Sequence, residues 1–347
     1  MSQPALDNRT EFAVAPRLLM GRDGEMLVTM VKASFEAVQG HDGPDIPLEL
    51  APPERTRGLR PADIPWGEPE VSSIAYPSDH CVHKPGTDVI VVGKAYAPGG
   101  PQPTFDARVE VGPVAKSIRL FGPRIYRDNG QGTTSPQPVP EVELRYELAY
   151  GGFDDSDPEQ VVEEARNPIG MGCVRDKTSL THAAAPQIED PSALLSDLDV
   201  QPAPAGLGAI GRHWAPRRNF AGTYDDTWQK TRAPLMPSDF DDRFNRCAAE
   251  GLWSSTPLRG DEAVSLANLL PGGRAWRFSL PLVRLQITVA IPGRELENRR
   301  PSLDTVLIDL LETSLDKPPA VEMVWRLAVP APRRLGDARI VVREVTA

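Results

Sequence analysis

The chain has 347 residues, 37 of them proline, with 40% hydrophobic residues and a formal net charge of −10. That hydrophobic content is too high for a disordered protein, and the proline usage points to short strands joined by long, proline-fixed loops. The acidic balance argues against nonspecific binding to nucleic acid or to anionic membranes, which need a positive field, and fits a basic or apolar partner better.

Three cysteines, Cys81, Cys173 and Cys247, are odd in number and far apart, unlike the disulfide framework of a small secreted domain. Asp7, Arg9 and Glu11 stand where a secretory leader needs an apolar run, and no stretch reaches eighteen consecutive apolar residues. The expectation is a cytoplasmic protein without a membrane span.

In chain order, Met26 to Phe35 is apolar at both alternating sets of positions with Lys32 as its only charge, which predicts a mid-sheet strand. From His41 to Pro69 repeated prolines predict extended loop. His80, Cys81 and His83 have metal-ligand chemistry but lack a second close Cys/His pair, so an edge loop is favoured over a metal site. Asp88 to Tyr96 predicts a second buried strand; its Gly93-Lys94 lacks the glycine spacing and the Ser or Thr of a phosphate loop. Alternation over Ala107–Val111 and Ile118–Leu120 about Gly112-Pro113 predicts a hairpin, and Val142 to Tyr150 predicts a strand with one wet face. Ser156, Pro158 and Glu159 predict a short helix through Arg166, broken by Asn167 to Gly172, and Asp261 predicts a capped helix through Leu270.

Between the two predicted helices lies the stretch densest in chemistry, Asn219 to Ala248, around which the chain is organised and which mixes rings, aspartates and prolines without a helix or strand period. Its rings, including Tyr224, Trp228 and Phe240, are too large to leave in water, so an ordered, folded-down loop is expected. Its aspartates would cap backbone N–H groups or pair with Arg232, Arg243 and Arg246, with Asp239 capping a helix from Phe240. The last eighty residues return to strand patterns at Trp276–Leu280, Leu285–Ile291, Leu303–Leu310, Val321–Val329 and Ala338–Val345. The fold class expected is mainly β, a large sandwich or distorted barrel-like body with Pro/Gly-rich loops and a few short helices. One domain over 1–347 is expected, with sub-lobes at 1–150, 151–270 and 271–347.

No nucleophile elbow, paired metal histidines, dinucleotide fingerprint or kinase motif occurs in its required context, and His182 and His213 are lone histidines. The expectation is therefore no catalytic residue, no metal and no cofactor. The rival is a carbohydrate- or metal-dependent hydrolase built on Asp225, Asp226, Asp239, Asp241 and Asp242.

Lys84-Pro85 with Asp88 to Pro98, Tyr150-Gly151-Gly152, Asn167 to Gly172, and Gly222 to Asp225 with Trp228, Pro234, Pro237 and Asp239-Phe240-Asp241 together resemble a bacterial domain family long catalogued as of unknown function. Its members sit in type VI secretion loci. The resemblance covers nearly the whole chain and implies a cytoplasmic chaperone or adaptor that helps load toxic effectors, often those with a PAAR tip domain, onto the VgrG spike. His80-Cys81-Val82-His83 is more polar than the family pattern, which puts partner choice around that loop in doubt. The resemblance supplies no binding residues. The loop itself suggests Tyr224, Asp225, Trp228, Arg232, Asp239 and Phe240 as a partner surface, its rings covering an apolar segment and its aspartates steering basic flanks. A passive structural part of the secretion apparatus is the third reading.

Overall fold

A computed structural model describes residues 3–41, 43–128, 131–157, 159–174, 183–196, 201–294, 296–311, 313 and 317–345. The longer strands are β1 (Ala5–Arg9), β2 (Ala13–Met20), β3 (Glu25–Ala37), β4 (Thr87–Val92), β5 (Thr104–Val111), β6 (Val114–Phe121), β7 (Ala263–Leu270), β8 (Arg274–Ser279), β9 (Leu285–Ala290), β10 (Ser302–Asp309), β11 (Ala320–Pro330) and β12 (Arg339–Glu344). Helix is confined, among the described residues, to α1 (Asp226–Thr231) and short 3-10 turns. The fold is mainly β, and its sheets form no closed barrel.

The largest sheet runs in the order Trp253–Ser254, β4, β10, β11, β3, β2, with Leu48–Leu50 added beside β3. β3 thus lies between two partners, as its unbroken burial requires, while Pro16 sits in β2 at the edge, where a missing N–H breaks no ladder. A five-stranded sheet follows the order Ile188–Glu189, β6, β5, β7, β8, and a four-stranded one the order β1, β12, β9, Glu297–Arg299. Period-two alternation sends Leu27, Val31, Ala33 and Phe35 of β3 and Val321, Met323 and Trp325 of β11 into one hydrophobic cluster. Val109, Ile118, Leu266, Trp276, Ile287 and Ile340 join it, so all three sheets share this core.

The opposite face of β3 and β11 is also buried, but it is ionic. Register pairs Ser34 with Glu322 and Lys32 with Val324. The fully buried Lys32 ammonium lies 2.7 Å from Glu322 and 3.0 Å from Asp79. Arg60 reaches Glu322 at 2.6 Å, Arg57 bridges Asp309 and Glu322, and the Tyr76 hydroxyl donates to Asp309 at 2.8 Å. Further along, Arg326 holds Asp304 at 2.5 Å and donates to the carbonyls of Asp79 and Cys81. Lys84, buried, donates to Thr305 and pairs with Asp88, whose carboxylate also accepts the Cys247 N–H. These contacts fasten the proline-rich segment from Arg57 to Lys84 onto the sheet.

Three sequence expectations change. The stretch through Leu270 is strand β7, paired on one side with β5 and on the other with β8; Val264 and Leu266 point inward with period two, which outweighs the capping signal of Asp261. The predicted helix after Ser156 is replaced by a short antiparallel pair, Phe153–Asp154 with Val162–Glu163, and Pro158 lies outside the described residues. The alternation from Val142 to Tyr150 does not give one continuous strand: it is extended at Glu141–Glu143, where Lys94–Tyr96 offers a partner, and again only at Tyr150–Gly151. Between them it turns through a 3-10 segment at Tyr146–Leu148, and Tyr146 packs edge-on against Trp214 with ring centres 5.4 Å apart.

Because Lys32 answers two buried carboxylates, Lys32→Met should destabilise the protein by ~3–5 kcal/mol in urea unfolding, the scale for breaking a buried ionic pair. Burial alone would raise the Glu322 carboxyl, but Lys32 and Arg60 hold it below its ordinary 4.5. Its folded pKa is depressed, so its contribution is present above that ordinary value and is lost as pH falls through the folded value. The acid limb of the stability curve should therefore steepen below about pH 4.5 in the wild type, and Lys32→Met should shift that limb to higher pH.

Candidate functional site

The loop singled out in the sequence is ordered and docked. Asp225 caps α1 by accepting the Trp228 N–H at 2.7 Å. Trp228 is half-buried, donates its indole N–H to Leu235, and meets the Tyr224 ring edge-on at 4.7 Å, leaving Tyr224 57% exposed. Arg232 donates to the Met236 carbonyl and to that of Arg22 in the β2–β3 turn, which pins the loop to the large sheet's edge. Asp239 accepts the N–H and hydroxyl of Thr223, and those two donors hold its carboxyl below the usual range. The cap of the following 3-10 turn is Asp241 rather than Asp239; it also pairs with Arg243 at 2.6 Å. Phe240 is only 5% exposed and packs on Phe244. Of the six residues expected to form a partner surface, Tyr224 is the ring open to solvent, while Asp225, Arg232 and Asp239 are committed to holding the loop.

His80, Cys81 and His83 do not converge on one point: no group of three or more His, Cys, Asp or Glu side chains suited to a metal occurs among the described residues. The Cys81 and Cys247 thiols are both raised by burial, Cys247 to about 12, so neither is a ready nucleophile at neutral pH. His213 is exposed, and His182 lies outside the described residues.

A broad concavity lies elsewhere. It is a groove of about 1040 Å³ whose walls come from three parts of the chain: residues 63–74, the Phe153/Glu163 pair with the 168–174 turn, and Gly211 to Arg218. Val71 and Phe153, 65% and 60% exposed, stand at it, with Pro65, Pro69, Ile169 and Met171 adding apolar surface. Apolar side chains this exposed and this close together are the informative kind of surface hydrophobicity.

The floor is made by backbone. Tyr150–Gly151 pairs in parallel with Met171–Gly172. The buried Asn167 amide donates to the carbonyls of Tyr146 and Tyr150 at 2.8 and 3.0 Å, drawing the two segments together. They come so close that side chains have no room: a Cβ on Gly170 would lie 2.3 Å from the Asn167 amide nitrogen and 2.6 Å from the Ala149 carbonyl. Gly152, at φ +91°, would place one 2.5 Å from the Gly170 carbonyl.

One wall is fastened by the buried ionic face. Its short pair, Ile64–Pro65 with Ile74–Tyr76, is flanked by Arg60 on Glu322 and ends at Tyr76 on Asp309. Asp63 accepts the Ser78 N–H and pairs with Arg212 at 3.0 Å across the groove lining. Glu70 and Glu163 have no ion partner among the described residues, and Glu70 holds φ +71°, a left-handed backbone rare outside glycine. The sequence reading picked out the Tyr150–Gly152 and Asn167–Gly172 motifs without placing a site on them. The signal available was the density of glycines beside an asparagine.

Residues 22–326 match the profile of a family described as "Uncharacterized protein conserved in bacteria (DUF2169)". The chain belongs to this family. The matched span takes in the groove, the loop and nearly all of the buried ionic face, so these are parts of the DUF2169 body and not additions to it. No curated protein and no solved structure matches the chain. No helix among the described residues is long and apolar enough to cross a membrane.

Gly170→Ala should push Asn167 off its two carbonyls and cost ~1–3 kcal/mol of stability, the scale for an overpacked position. Amide exchange of Met171 and Cys173, which donate to the Ala149 and Gly151 carbonyls, should accelerate more than that of β3.

Proposed function

We propose that this protein is a non-catalytic adaptor that holds a protein client in the groove. The client is a type VI secretion effector, PAAR-bearing or PAAR-linked, which the adaptor stabilises in the cytoplasm and helps load onto the VgrG spike. The observation that carries the holding role is a large groove with exposed Val71 and Phe153 over a backbone floor, a surface shaped for covering apolar atoms. The secretion assignment comes from the motif resemblance, whose Tyr150–Gly152 and Asn167–Gly172 residues line the same groove or its floor.

The hydrolase reading draws less support. Asp225, Asp239 and Asp241 are engaged as caps or by Thr223 and Arg243, which leaves no pair of them facing each other across a deep pocket. The exposed Tyr224 ring on the neighbouring loop is a reasonable second contact for a large client.

Co-purification with the PAAR-bearing effector encoded nearest to the gene, with and without VgrG, tests this reading. The adaptor should retain the effector and raise its soluble fraction. Phe153→Ser, a surface change expected to leave the melting temperature in place, should weaken retention by ~1 kcal/mol or more, about fivefold. Stable assembly with VgrG in the absence of effector, and no effector retention, would instead favour the passive structural reading.

A further inference from the structure

The groove's charges and rings specify what lies in it. Phe153 and Glu163 are directly opposed in their antiparallel pair, which puts an exposed ring and a carboxylate on the same face of the sheet, side by side. On the facing segment, Glu70 immediately precedes exposed Val71, and the left-handed backbone at Glu70 holds that corner in a conformation unfavourable for a residue with a Cβ. Strain maintained at the mouth of a cavity is the kind that accompanies binding. Each of these two parts of the lining therefore repeats one arrangement, an apolar surface next to a carboxylate with no ion partner among the described residues. Among the described lining residues the cations, Arg212 and Arg218, come from the third part, and Arg212 is already paired with Asp63.

A lysine or arginine is the side chain that satisfies both halves of such an arrangement, its stem lying on the apolar surface and its charged head meeting the carboxylate. Arg218 repels a cation on the remaining wall, so the charge of an occupant has a preferred side. The rest of the lining, Pro65, Pro69, Ile169 and Met171, asks for apolar side chains.

We propose that the groove binds an extended apolar segment of the client that carries lysine or arginine next to its apolar core, read by Glu163 with Phe153 and by Glu70 with Val71. The proposal rests on the adaptor reading and adds the chemistry of what is held. Such a segment is insoluble or sticky when free, which gives the adaptor its reason to cover it.

The test uses the whole chain and three fluorescein-labelled synthetic peptides that share one Leu/Val core and carry paired lysines, paired glutamates or paired serines beside it, followed by fluorescence anisotropy. The lysine peptide should bind roughly tenfold tighter than the glutamate peptide, the combined scale of two exposed charge pairs and a cation–ring contact. That margin should shrink as salt rises. Glu70→Lys with Glu163→Lys should invert the order. Glu70→Gly with Glu163→Gln, in which glycine relaxes the left-handed position and so protects the fold, should abolish the preference while leaving the serine peptide unchanged. Equal binding of the three peptides, binding of none, or an unaltered order in the charge-reversed protein would overturn the proposal. Effector retention measured on the same proteins separates the two readings. If the wild type keeps the effector but ignores peptide charge, the segment proposal falls and the adaptor reading stands; loss of effector with a charge-dependent peptide order gives the reverse.

Discussion

Lys32 is the group on which the architecture turns. An ammonium with no exposure to water is tolerated only because Glu322 and Asp79 meet it from the neighbouring strand and from the covering segment. It forces the sheet to be covered on a second face, and the cover is drawn from a proline-rich stretch with little secondary structure of its own. Arg57, Arg60, Tyr76 and Asp79 convert that stretch into a fixed layer. The layer then supplies a groove wall between two of its anchor points, so the ionic face determines the shape of a surface that none of its own charges line, apart from what it holds in place.

The loop from Asn219 onward follows the same logic at smaller scale. Its charged groups are directed at backbone: Asp225 and Asp241 at helix starts, Arg232 at two carbonyls, Arg22 at the Phe240 carbonyl from across the turn. Here polar side chains order a loop that lacks sheet partners, which is how an acidic, aromatic-rich stretch without a strand or helix period is held in one conformation.

Strands with two buried faces or strict alternation were legible from residue order alone: β3, the β5–β6 hairpin and β8 through β12 fall where their periods place them, while the run from Asp88 to Tyr96 divides at Gly93 into β4 and the separate strand Lys94–Tyr96. The failures share a cause. From Val142 to Tyr150 the alternation is genuine, but a strand needs a partner, and pairing lapses between Glu143 and Tyr150. At Asp261 a local cap signal competed with a partner on either side, and pairing with β5 and β8 decided the outcome. β1 and β2 escaped notice because β1 is short and exposed and β2 carries Pro16 and Arg17 in its middle. The groove was invisible for a different reason. Its lining comes from residues near 70, 153, 170 and 212, which are brought together by the ionic face, the Asn167 bonds and the Asp63–Arg212 pair. Lys32 stood out as the lone charge of a buried strand, but nothing local identifies Glu322 as its partner.

The pairing of β3 with β11 has a consequence for how the protein comes into being. Its registers join residues near 30 to residues near 325, and β1 lies parallel to β12, joining residues 5–9 to 339–343. During synthesis the early strands emerge long before the strands that must lie beside them, and non-local pairing of this kind is slow. Until the final strands arrive, Lys32 has only half its counter-charge and the proline-rich layer has nothing to fasten to. A chain without β10 and β11 would therefore leave the Ile64–Tyr76 wall of the groove unfastened, so that wall takes its shape only once strands more than two hundred residues further along are in place.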